Sequence, residues 1–102
     1  MRIAIAVGVL AALAAGIAGA QELTPANAPE VCRTRADAIL DAGQRRDRGV
    51  PKYQIEQEFR QRGAYEWARN KIDLLYFDPT VSPAQAAQAQ FTVCTRDAGK
   101  PR

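Results

Sequence analysis

Apolar residues recur at helical spacing from residue 28 to residue 97, in four blocks separated by turn-forming residues. In the first block Val31, Cys32, Arg35, Ala36, Ile39, Leu40 and Gly43 share one helical face, and its apolar members form a stripe. Arg33, Asp37, Asp41 and Arg45 occupy the opposite face. Asn27 followed three positions on by Glu30 has the pattern of a capping box, and Pro29 is tolerated in a first turn. The block closes near Arg48, where Gly49 can supply a left-handed cap.

Val50 precedes Pro51 and is biased toward extended backbone, and Pro51 suits a first helical position. A second helix is predicted over 52–62, with Tyr53, Ile55 and Phe59 as its apolar side and Gly63 as its end. The third, over 65–77, carries a wide stripe of Trp67, Ala68, Ile72, Leu75 and Tyr76, extended further round by Leu74 and Phe77. That width predicts the most buried and central helix, stopped by Asp78-Pro79. Ser82 with Gln85 three residues on, and Pro83 between them, marks the start of a fourth. In it Ala84, Ala87, Phe91 and Cys94 form a narrow seam of mostly small residues, and the helix fades near Asp97. No stretch alternates apolar and polar residues for long, so the expected fold is all-α with four helices.

Residues 1–20 have a different character. Arg2 is followed by an uncharged apolar run from Ile3 to Ile17, closed by Ala18-Gly19-Ala20. This is the layout of a cleavable signal peptide, and the run is short for a membrane-spanning helix. The expected organisation is a signal peptide at 1–20, an exposed lead at 21–27, a helical domain at 28–97 and a loose tail at 98–102. Removing 1–20 leaves 82 residues with 13 basic and 11 acidic side chains. So small a domain has a marginal core, and so mild a charge does not point to nucleic acid.

Export changes how the two cysteines are read. Cys32 and Cys94 would lie in an oxidising compartment, periplasmic or extracellular, where a lone pair without C-x-x-C spacing is a structural disulfide. The bond would join the first turn of helix 1 to the last turns of helix 4 and close a segment of 63 residues.

The chain contains no histidine, which excludes histidine bases, serine or cysteine triads and His-ligated zinc. Ser82, the one serine, is accounted for as a helix cap, and no glycine-rich phosphate loop occurs. Asp37 and Asp41 share a face but are flanked by Arg33 and Arg45, as on a solvated, salt-laced surface. No catalytic, metal or cofactor site is expected. Arg45, Arg46 and Arg48 end helix 1, and Arg60 and Arg62 end helix 2, where cations complement the helix dipole. With Tyr65 and Trp67 they also form a candidate partner surface, for a protein or for an anionic surface such as lipid headgroups or an acidic polymer.

An early helix-1 cysteine, "RDRGVP", "KIDLLYFDP" and "SPAQAAQAQFTVC" together resemble a class of small exported bacterial helical proteins with one disulfide. The outline is also similar to the HdeA-type periplasmic acid-stress chaperones, and in size and export to small immunity proteins of contact-dependent toxin systems. The first resemblance implies a fold far more than an activity, no binding motif carries over from the second, and the third rests on size and export alone. The expectation is an exported, non-enzymatic protein that binds another envelope protein, with a stress holdase as the alternative. After signal cleavage no membrane span is expected.

The disulfide should contribute roughly 4 kcal/mol by the chain-entropy relation. Cys94→Ser is therefore expected to shift the urea unfolding midpoint far down, and an unchanged midpoint would remove the clamp from the account of stability.

Overall fold

The structure, a computed structural model, describes residues 22–100, so the signal-peptide expectation and the last two residues of the tail lie outside the described residues. Among these, four helices and no strand are present: α1 (Ala28–Asp47), α2 (Lys52–Gln61), α3 (Tyr65–Phe77) and α4 (Pro83–Ala98).

Their ends follow local chemistry. Gly49 and Gly63 have φ of 90° and 69°, a region open to glycine without strain. In each case the glycine and the next residue donate back into the last turn. Gly49 N–H bonds the Arg46 carbonyl and Val50 N–H that of Arg45, while Gly63 and Ala64 do the same to Arg60 and Phe59. Both are Schellman closures, and each reverses the chain over a few residues. α4 opens with the expected reciprocal box, Gln85 N–H donating to Ser82 Oγ at 3.0 Å and Ser82 N–H to Gln85 Oε1 at 2.8 Å. Asp78 stands extended before Pro79 (φ −122°, ψ 98°), and its carboxylate accepts from Thr80 N–H and Oγ1.

The start of α1 departs from expectation. Asn27 does not cap the helix with its side chain. It turns back instead: Oδ1 accepts from Thr24 N–H, Nδ2 donates to the Glu22 carbonyl, and Thr24 Oγ1 accepts from Asn27 N–H. Thr24 supplies a local partner that completes this exchange, a competitor to capping open to Asn and Thr. The lead is thereby held, and Leu23 packs against a small cluster of Ala28, Cys32, Cys94 and Ala98. Pro51 likewise stands one place earlier than expected, as the extended residue before α2.

α1 and α4 form the most extensive helix pair. They run antiparallel and are fixed at two levels. At one, Cys32 and Cys94 are bonded, with Cα atoms 5.5 Å apart. At the other, Gly43 lies so close to Pro83 that a Cβ built on it would stand 2.7 Å from the proline Cβ and 2.8 Å from its Cα. α3 packs on α1, α2 and α4, and the main core gathers Ile39 and Ala42 of α1, Ile55 and Phe59 of α2, Ile72 and Leu75 of α3, and Ala86 of α4.

Three expectations about faces are corrected. α4 buries Ala86, Ala87, Gln90, Cys94 and Ala98, while Ala84 is exposed and Phe91 half-buried. The buried arc is rotated because α4 meets both α1 and α3. Tyr53 is 68% exposed, since two residues from Ile55 is the far side of a helix. α3 is not the most buried helix: Leu74 is 38% and Phe77 88% exposed, although its other stripe residues face the core.

At Gly43 the neighbouring atoms belong to a proline ring and backbone, which cannot swing aside. Gly43→Ala should therefore destabilise by about 1–3 kcal/mol through overpacking, partly offset by the alanine's gain of up to about 1 kcal/mol in helix propensity. Gly99→Ala, at a right-handed and open position, should stay within about 0.5 kcal/mol of the parent. Chemical denaturation of the two variants side by side checks the pair.

Candidate functional site

The seven residues proposed as a partner surface are divided among different environments. Arg45 turns inward, and its guanidinium grips Glu58 of α2 with both ends, Nη1 to Oε1 at 3.0 Å and Nη2 to Oε2. Asp41 stands 3.9 Å from Nη1 on the other side. Arg46 donates Nη1 to the Leu75 carbonyl at 2.8 Å and binds Asp47 through Nε and Nη2. The first of these satisfies an orphan carbonyl in the last turn of α3. The two side chains are only 18% and 11% exposed, so they act as internal ties.

Arg48, Arg60 and Arg62 are exposed. Arg60 lies over the Tyr65 ring at 4.1 Å, and the Tyr65 hydroxyl donates to Glu56 of α2. Trp67 belongs to the margin of the core, with Phe59 edge-on at 6.0 Å and the Arg35 guanidinium 5.0 Å from its ring centroid. This explains why a cation sits on the apolar stripe of α1. Burial pushes the Arg35 guanidinium below its ordinary range, and the Asp97 carboxylate of α4 opposes that. Among the described residues no cluster of three or more His, Cys, Asp or Glu side chains could hold a metal ion. Among them, too, no helix is long and apolar enough to cross a membrane.

Two apolar surfaces that the sequence pattern did not single out remain open. The first is a shallow concavity of about 580 Å³, where Leu74, Tyr76 and Phe77 of α3 stand beside Lys52 of α2. Lys52 Nζ is 2.9 Å from Asp73 Oδ1, so the charges at this rim neutralise each other. Tyr76 is anchored through its hydroxyl, which donates to the Val50 carbonyl, while Phe77, the last residue of α3, is 88% exposed. The signal was present in the spacing: Leu74 is two and Phe77 five positions from Ile72, on the side of the helix away from it. The second is a groove of about 330 Å³ between α1 and α4, floored by Ala36, Leu40, Ala87 and Phe91 and edged by Arg33 and Asp37.

No family model, curated protein or solved structure matches the chain.

The polar links of α2 to its neighbours depend on carboxylates: Glu58 to Arg45, Glu56 to Tyr65, and Asp73 of α3 to Lys52. Arg45 holds the Glu58 carboxyl below its usual range, chiefly through their hydrogen bonds. A depressed carboxyl adds stability above its unfolded pKa of about 4.3, and that stability is lost as pH falls through the folded value. Asp78, lowered by its Thr80 hydrogen bonds, acts in the same sense. Glu58→Gln should therefore cost about 1 kcal/mol at pH 7, a partly exposed pair being worth no more. Denaturation curves at pH 7, 4 and 2.5 should show the two proteins converging at the acid end, and a constant gap would rule out the bridge as an acid-sensitive tie.

Proposed function

We propose that the protein is an exported, non-enzymatic binding protein of the cell envelope, and that it docks another protein on the α3 face around Phe77. The exposure of that ring, 88% on an otherwise well-buried helical scaffold, carries the reading. Full burial of such a side chain is worth about 1.5–3 kcal/mol, and projecting aromatics beside a concavity are the usual anchors of protein interfaces. The neutralised Lys52–Asp73 pair at the rim favours a protein surface over an anionic polymer. Nearby anchoring of Tyr76 and the clamp between α1 and α4 limit the ordering cost of docking. Export, and with it a periplasmic or extracellular location, is supported by residues 1–20 of the sequence and by the disulfide.

The carboxylate ties of α2 favour a second reading, a stress holdase. In acid the Glu58–Arg45 tie weakens, while the Cys32–Cys94 bond still joins α1 to α4, so α2 could lift and uncover Ile55 and Phe59 without full unfolding.

A photoreactive phenylalanine analogue at position 77, expressed in the exporting cell, separates the two. One discrete adduct at neutral pH, not formed from a probe at exposed Thr34, is the outcome expected of a dedicated binder. Many adducts appearing only below about pH 4, where carboxylates protonate, would establish the holdase. The absence of any adduct at either pH would overturn both.

A further inference from the structure

The α1–α4 pair is a two-helix layer whose core-facing side carries Ile39, Ala42 and Ala86, covered by α2 and α3. Its groove lies outside that core. Leu40 and Phe91 remain partly exposed there, over a floor kept low by Ala36 and Ala87. Arg33 and Asp37, both exposed, stand one helical turn apart on the α1 edge.

We propose that this groove is the docking surface for a second copy of the chain, α1–α4 pair against α1–α4 pair about a two-fold axis. The charges select that occupant. A symmetric interface brings a surface onto itself, so it must be self-complementary. An antiparallel apposition of α1 with its copy, with the axis passing between positions 33 and 37, sets each Arg33 opposite the other copy's Asp37. Two equivalent ion pairs result, and they use both charged residues that line the groove. An acidic or basic partner would find one favourable and one opposing charge there. Because Cys32 is level with Cys94 and Gly43 with Pro83, Phe91 stands level with this axis and packs on the other copy's Phe91 beside Ala36, and the α1–α4 clamp presents the groove in one shape. Because the ion pairs lie at an exposed rim, they set register and specificity, and affinity comes from the apolar floor. The groove is short, so the dimer is a weak one. This surface is separate from the Phe77 face, and either proposal can fail without the other.

Sedimentation equilibrium of the disulfide-bonded protein, from about 1 µM to about 1 mM, spans the range in which a weak dimer dissociates. A concentration-dependent dimer is expected. Arg33→Asp makes the edge wholly acidic and Asp37→Arg makes it wholly basic, so each variant alone should dissociate at least about tenfold more readily than the parent. An equimolar mixture of the two pairs opposite charges and should restore association to near the parent's. Circular dichroism of each variant checks that these exposed changes leave the fold intact, and Phe77→Ser should dimerise like the parent. A parent monomeric throughout, single variants that associate normally, or a mixture that stays dissociated would each overturn the proposal.

Discussion

Everything else in this fold hangs on the close antiparallel contact of α1 and α4. Two unlike interactions secure it. The Cys32–Cys94 bond acts mainly by restricting the unfolded chain, while the Gly43–Pro83 contact acts on the folded state by setting how near the backbones come. The two levels lie eleven residues apart on each helix, close to three turns. Equal spacing fixes rotation and register together: a slide that preserved one contact would break the other.

Against this frame α2 and α3 are held differently. Their apolar residues complete the main core, but the polar ties of α2 are peripheral and depend on carboxylates. The molecule thus joins a covalently fixed layer to a second layer whose outer attachments are electrostatic. Each layer leaves one apolar surface open, the α1–α4 groove on the first and the Phe77 face on the second.

What was legible in the sequence was whatever neighbouring residues decide among themselves. Gly49 and Gly63, Asp78 before Pro79, and the Ser82–Gln85 box each act within a few positions, and each stands where the pattern placed a helix end. The cysteine pairing was legible because the chain offers no other choice. What depends on distant neighbours was not. The outward positions of Tyr53, Leu74 and Phe77 were marked by spacing, but aromatic and aliphatic character drew them into the predicted stripes. The turn of the α4 seam toward Ala86 and Gln90 required knowing that α3 lies beside it. Arg45 and Arg46 looked like helix-end cations, and their partners, Glu58 and the Leu75 carbonyl, are 13 and 29 residues away. Asn27 failed as a cap for a local reason, because Thr24 offered its side chain a competing exchange.

The position of the disulfide also has a mechanical meaning. Cys32 lies near the start of α1 and Cys94 near the end of α4, so the segments that lead into and out of the domain leave it at the same end. Tension applied between those segments passes through the sulfur–sulfur bond and bypasses α2, α3 and most of the helix pair itself. Such a load could peel away the residues outside the bond, but could not extend the 61 residues it encloses while the bond is intact. A machine that drew the chain in from either end would reach a covalent crossing before it reached the core.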